Sequence, residues 1–195
     1  MHGEKASFPF LDFLEHAHSP NRTPDVGTIL SLIKELADYE HELESVLATE
    51  QTLLSTIAFA PSDADPAIPT STPQTEPISP SRPARCLLLF NESGEPGGMA
   101  LYFYNYSTWR ARPGIYLEDL FVRPTERKKG YGKRLLVALA GEVVAMGGGR
   151  LEWSVLKWNE PSIKFYEGIG ATMMSEWVGM RVDGDGLQKL AGLLD

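Results

Sequence analysis

Two carboxylates and a pair of glycines stand out as residues that could do chemistry. Glu118 and Asp119 interrupt the apolar, β-branched run from Ile115 to Val122. Charges inside such a run are costly unless each has a partner or a task. They could serve an active site, or they could close structural ion pairs. Shortly after comes Arg127-Lys128-Lys129-Gly130-Tyr131-Gly132. Glycines let a backbone approach a ligand closely, and the free N–H groups of a helix start carry partial positive charge. With basic neighbours, that combination makes a phosphate site. The plainer alternative is a strand-to-helix turn with solvated basic residues.

These residues need elements to hold them. The run Ile115–Val122 predicts a strand buried on at least one face. Adjacent residues of a strand point to opposite faces, so Glu118 and Asp119 should diverge. Pro124 stops the strand, because it cannot donate to a central ladder. Leu135, Leu136, Leu139, Val143 and Met146 then recur on one helical face. Upstream, Arg85–Phe90 and Met99–Ser107 read as a hairpin around the turn residues 91–98. Downstream, Gly147-Gly148-Gly149 ends the helix and Arg150–Leu156 reads as a strand. Asn159 is the expected N-cap of a helix that Gly168 or Gly170 stops. A last strand is expected from about Thr172 to Val182, and a short helix from Gly184 to Leu194. Near the start, Thr23-Pro24 opens a helix that closes at Tyr39-Glu40, and Thr49 caps a second. The order predicts an α+β domain with a mixed, mostly antiparallel sheet flanked by helices.

Two stretches stand apart. Residues 1–22 form an atypical N-terminal segment whose pattern does not alternate as a strand. Within the domain proper, residues 23–195, half of the fourteen prolines crowd between Pro61 and Pro83. Residues 61–84 are therefore expected to be a disordered or extended insert.

Composition narrows the class. The net charge of −8 argues against a general nucleic-acid surface. No apolar run approaches the roughly 20 residues that span a bilayer, and no secretory signal opens the chain. A cytoplasmic protein is expected. The single cysteine, Cys86, is expected in the core. His2, His16 and His18 lack a fourth ligand at metal spacing, so no metal is expected.

The pattern Arg127-x-x-Gly130-x-Gly132, placed between a strand and an amphipathic helix, resembles the acyl-CoA pyrophosphate loop of the GNAT N-acetyltransferases. Leu32–Glu40, Tyr116–Val122 and Trp158–Tyr166 resemble blocks of the diamine (spermidine/spermine) N-acetyltransferase family. The resemblance implies the GNAT acyl-CoA N-acetyltransferase fold and acetyl-CoA as co-substrate. It implies that the strand edge at Leu120, Phe121 and Val122 holds the cofactor. The pyrophosphate would sit on Arg127, Lys128, Lys129, Gly130, Tyr131, Gly132 and Lys133. Asn159 and Ser162 would lie beside the thiol arm, with Tyr166 in the position of the acid. Glu118 would touch the acceptor amine through water. Tyr39, Glu40, Trp109, Asp119, Glu152, Trp153 and Ser154 would serve the substrate. A homodimer is expected from the same resemblance. The family's opening strand is absent or replaced here, and its polyamine-binding aspartate is Ser107.

The implied chemistry is consistent with the residue types. An alkyl amine with a pKa near 10 is about one part in a thousand neutral at pH 7. Only that form attacks a thioester, so a base is useful, directly or through water. A phenol can supply the donor that the departing thiolate needs. Alternatively, Glu118 is a structural charge and Tyr166 a core residue. The acceptor would be a diamine, a polyamine or a thialysine-like amino acid. The rival readings are a protein or peptide acetyltransferase and a catalytically weak acyl-CoA binder. If the loop holds the pyrophosphate, Gly130→Val should weaken acetyl-CoA binding at least about tenfold by blocking backbone approach. Calorimetric titration of the folded variant checks this, and unchanged affinity rejects the assignment.

Overall fold

A computed structural model describes residues 18–20, 25–60, 75 and 77–194. The expected cap Thr23, His2, His16, most of the N-terminal segment and most of the proline-rich insert lie outside the described residues. The chain divides into two units, residues 1–154 and 155–195.

The first unit is built on a five-stranded sheet in the order β1-β2-β3-β4-β5. The strands are β1 (His18–Pro20), β2 (Arg85–Phe90), β3 (Pro96–Ser107), β4 (Arg112–Val122) and β5 (Leu151–Trp153). All neighbours are antiparallel except β4 and β5, which are parallel. A parallel pair needs a long crossover, and α3 (Tyr131–Ala145) supplies it. The opening strand is therefore present, with His18–Pro20 as its described residues. His18 pairs opposite Leu89 and Pro20 opposite Leu87. The edge position tolerates Pro20, which has no N–H to give.

Helices α1 (Val26–Tyr39) and α2 (Glu50–Thr56) cover the front of the sheet. Val26, Ile29 and Leu32 of α1 and Leu53 of α2 pack with Cys86, Leu88, Met99, Leu101 and Phe121. Each such side chain, fully buried, contributes roughly 1.5–3 kcal/mol. Cys86 sits in this core as expected, and burial pushes its thiol well above the ordinary range. Thr49 caps α2 through a reciprocal bond pair with Thr52. The described end of the insert is tied back, with Ala58 N–H donating to the Ala84 carbonyl at 2.9 Å.

The back of the sheet is covered by α3. Leu135, Leu136, Leu139 and Val143 are buried there, and so is Glu142. Glu142 accepts from the hydroxyls of Tyr102, at 2.8 Å, and Tyr104. Arg85 donates to Tyr104 and lies 3.8 Å from Glu142. Burial raises the Glu142 carboxyl, and the tyrosine bonds and Arg85 oppose that.

The second unit holds α4 (Glu160–Gly168) and α5 (Asp185–Ala191). The expected strand at 172–182 is not formed, which corrects the sequence reading. A strand needs partners for its N–H and C=O groups. None pairs with this stretch among the described residues, and Met173, Trp177, Val178 and Met180 stand exposed. β5 is likewise shorter than expected.

One ion pair ties the last turns of α1 to the sheet. Arg123, just past β4, grips Glu35 with two nitrogens, at 2.7 Å and 3.0 Å. Its third arm donates to the Pro96 carbonyl at 2.7 Å. Arg123 holds the Glu35 carboxyl below its ordinary range. The stability this pair gives is present above the unfolded pKa and is lost as pH falls through the lower folded one. Glu35→Ala should therefore cost roughly 1–2 kcal/mol at pH 7, with the deficit shrinking below about pH 4. Urea unfolding at the two pH values checks this.

Candidate active site

The site begins where two strands part. β5 pairs with β4 over Ile115–Leu117 only, against Leu151–Trp153. On its other side β4 stays paired with β3 as far as Val122. Leu117 faces Tyr102 and Asp119 faces Leu101, adjacent residues of β3, so Glu118 is an extra residue with no partner. Such a bulge bends a strand and re-aims its side chains. Beyond it, among the described residues, no strand pairs with β4 on the β5 side at Leu120, Phe121 and Val122. Val122's carbonyl accepts from Arg127 Nε at 3.0 Å.

The bulge gives the two carboxylates different surroundings. Glu118 is exposed, whereas Asp119 joins the front-face row of Leu101 and Phe121. Burial raises the Asp119 carboxyl to about 6, helped by the charges of Glu118 and Glu40. Glu40 is also raised by burial. It sits at the end of α1, which His41 closes in a left-handed conformation with φ 63°. The N–H of Glu42 then reaches back to the Ala37 carbonyl at 2.8 Å. The Arg127 guanidinium lies 4.9 Å from the Tyr39 ring centroid and 6.0 Å from that of Phe121. Tyr39, Glu40, Glu118, Asp119, Phe121 and Arg127 thus converge at the bulge.

The basic loop has the form of an anion cradle. Lys128 and Gly130 take left-handed conformations, with φ 66° and 81°. Gly130 is the N-cap of α3 and supplies no side-chain cap, so first-turn N–H groups stay available. A Cβ at Gly130 would meet nothing within 4 Å, which leaves the backbone open to approach. Lys129 pairs with Glu126 at 2.9 Å. Lys128 and Lys133 are exposed, Gly132 is partly buried, and Tyr131 packs inward close to Gly97.

Beyond the core, the front face becomes a polar, aromatic floor. The Phe103 and Tyr116 rings stack with centroids 5.2 Å apart. Tyr116 and Ser154 hydroxyls lie 2.8 Å apart. Glu152 Oε2 accepts from Asn105 Nδ2 at 2.7 Å and pairs with Arg150 Nε at 2.7 Å. Trp153, between Glu152 and Ser154, points to the back by strand alternation. Trp109 is 91% exposed in the β3–β4 turn. It lies roughly 20 Å along the ladder from Asp119, so the structure does not bring it to the carboxylates. Asn159, Ser162 and Tyr166 belong to the second unit. There Asn159 Oδ1 accepts from the Ser162 N–H at 3.3 Å, capping α4. Tyr166 follows Ser162 by four residues on the same helical face, its ring 5.3 Å from that of Phe165.

Sequence reasoning passed over Asn105, Phe103, Tyr116 and Arg150. The spacing Arg150-x-Glu152 was the available signal, since it puts both side chains on one strand face. Among the described residues no group of three metal-ligating side chains occurs. No helix among them is long and apolar enough to cross a membrane.

The Acetyltransferase (GNAT) family matches residues 36–171. This chain belongs to that family. It is an acetyl-CoA-dependent N-acetyltransferase, and its fold is the GNAT fold. The L-ornithine N5-acetyltransferase NATA1 of Arabidopsis thaliana is 35% identical over 85% of this chain and 83% of its own length. A thialysine N-epsilon-acetyltransferase of Bos taurus is 30% identical over 86% of this chain and 92% of its own. Among solved structures, an integron cassette protein from V. cholerae superposes with a TM-score of 0.66. It is 24% identical and covers 89% of this chain and 96% of its own, a likeness of fold.

In this GNAT enzyme the raised Asp119 carries a stability consequence. An acid with a folded pKa above its unfolded value is favoured in the folded state while protonated. Its stability deficit appears as pH rises from about 4 toward 6. Holding this carboxyl near 6 costs the ionised native state on the order of 2–3 kcal/mol. Asp119→Asn should raise the unfolding midpoint at pH 7.5 and give no gain at pH 4. Thermal scans at both pH values check this, and an equal effect at each would reject it.

Proposed function

We propose that this enzyme acetylates the terminal primary amine of a small molecule by direct attack on acetyl-CoA. The carrying observation is the carboxylate group Glu118, Asp119 and Glu40, gathered where β4 leaves β5. Three acidic side chains at one bulge attract a cationic acceptor. Two relatives with small-molecule acceptors in their names, spanning most of the chain, support the same class.

The residues present fit acetyl-CoA. The open edge Leu120–Val122 offers peptide groups to an amide-bearing arm, and the cradle Arg127–Lys133 offers N–H groups and cations to a pyrophosphate. Asn159 and Ser162 would flank the thiol arm. Acetyl-CoA supplies the activated acyl carbon. The acceptor arrives as an ammonium, is held by Asp119 and Glu40, and loses its proton to Glu118 through water. Its nitrogen would then form the C–N bond as the C–S bond breaks; Tyr166 would give its proton to the departing sulfur and regain one, by way of solvent, from the proton that the nitrogen sheds in becoming an amide. The pKa of about 6 at Asp119 favours a second reading, in which Asp119 is the base, since a base works best near operating pH. No nucleophilic constellation suggests a covalent route, and the buried Cys86 thiol is too weakly acidic to serve.

We also take the enzyme to be a homodimer. The exposed apolar stretch that holds Met173, Trp177, Val178 and Met180 supports this.

The test is a panel of diamines, polyamines, amino acids with terminal amines, and peptides, read by free thiol release. Turnover confined to peptides would reject the small-amine reading. Tyr166→Phe should lower kcat at least about tenfold with acetyl-CoA affinity little changed. Glu118→Gln should lower the rate most at low pH, with the loss shrinking toward the amine's own pKa. If Asp119 is the base instead, Asp119→Asn removes the acidic limb and Glu118→Gln leaves it in place. Variants as fast as the parent at every pH would sink the mechanism.

A further inference from the structure

The front-face floor is charged oppositely at its two ends. Near the bulge lie Glu118, Asp119 and Glu40. Toward the start of β5 lies Arg150, with Arg110 and Arg112 beside it. Arg110 donates to the Gly149 carbonyl at 2.7 Å, and a Cβ at Gly149 would lie 3.5 Å from that of Arg112. Between the ends runs the floor of Phe103 and Tyr116. Gly114 lets the basic end form. A Cβ there would lie 2.5 Å from Asn105 Oδ1 and 3.1 Å from Arg150 Cγ. The missing side chain therefore admits both the amide and the arginine stem.

Arg150 is held on two sides. Its Nε pairs with Glu152 at 2.7 Å, and its Nη2 donates to the Tyr106 carbonyl at 3.3 Å. Asn105 donates to Glu152 Oε2, and Arg150 Nε lies 2.7 Å from the same oxygen as an ion pair, without the alignment of a hydrogen bond. Among the described residues Arg150 Nη1 and Glu152 Oε1 have no hydrogen-bond partner, and each residue is a little over one-third exposed. A guanidinium recognises a carboxylate, and a carboxylate recognises an ammonium. Fixed side by side, they match the two charges on the α-carbon of an amino acid.

Resting on the small-amine reading above, we propose that Arg150 and Glu152 read the α-carboxylate and α-ammonium of an amino-acid acceptor, so that the enzyme acetylates a terminal side-chain amine and disfavours polyamines. The spacing agrees. Asp119 is three residues along β4 from Tyr116, the cross-strand neighbour of Glu152, which is roughly 10 Å. Four or five bonds of about 1.5 Å, with a hydrogen bond of about 2.9 Å at each end, cover that distance. A polyamine would bring a second cation to the arginine end, where like charges repel.

Three acceptors separate the roles: L-ornithine, 1,4-diaminobutane, which lacks the carboxylate, and 5-aminopentanoate, which lacks the α-amine. The parent should prefer ornithine to the diamine at least tenfold in kcat/KM. Arg150→Gln should shift that preference toward the diamine at least tenfold, through KM. Glu152→Gln should penalise ornithine relative to 5-aminopentanoate. Uniform loss on all three acceptors, with a lowered unfolding temperature, would mean that the pair only braces β5, and would overturn the proposal. A parent that prefers the diamine overturns it without any variant, which matters if Arg150→Gln fails to fold. A parent that acetylates peptides and none of the three would overturn the small-amine reading and this inference together.

Discussion

Among the described residues β4 has two strand neighbours over Ile115–Leu117 and one beyond Leu117. Peptide groups on an abandoned edge need other partners. Here one is met by Arg127, through the Val122 carbonyl, and the edge can be completed by an extended ligand in the manner of an added strand. The bulge at Glu118 sits at the point of separation and turns Asp119 toward the front. Without that extra residue Asp119 would follow Leu117 to the back face. The acidic cluster and the edge of β4 beside it, where the proposed cofactor and acceptor sites lie, depend on this one irregularity.

Two ionic clamps keep the surrounding helices in place. Arg123 joins Glu35 of α1 to the end of β4, which fixes the height of Tyr39 and Glu40 over the bulge. On the back, Glu142 is buried against Tyr102, Tyr104 and Arg85. Removing a carboxylate from water costs free energy that only full hydrogen bonding and a counter-charge offset. Those bonds fix the register of α3, whose other end is the anion cradle. The sheet is thus held between one partly exposed and one buried charge pair.

Local signals made much of this legible in the sequence. Pro124, the left-handed Gly130 and the 3.6-residue spacing of α3 are short-range features, and each appears where its chemistry dictates. Asn159 likewise caps α4 as its type suggests. What escaped was non-local. The bulge cannot be read from alternation, because it is the place where alternation fails. Arg123 and Glu35 are 88 residues apart, and Asn105 and Glu152 are 47 apart, so neither pairing leaves a trace along the chain. The stretch 172–182 has strand composition, but a strand is a property of two segments, and composition describes only one.

The three-residue ladder between β4 and β5 has a kinetic meaning. β2, β3 and β4 form an antiparallel meander of sequence neighbours, which closes short loops and can assemble early. β5 joins only after the whole of α3 has crossed over, and it is then held by few backbone bonds. Short ladders of this kind open at a smaller free energy than the rest of a domain. The wall that carries Arg150, Glu152 and Ser154 therefore forms after the meander and exchanges its amides sooner than the meander does. A ligand that bridges the two strands would stabilise this unit by mass action, so on the proposed reading the reaction's own substrates would help to complete the fold that binds them.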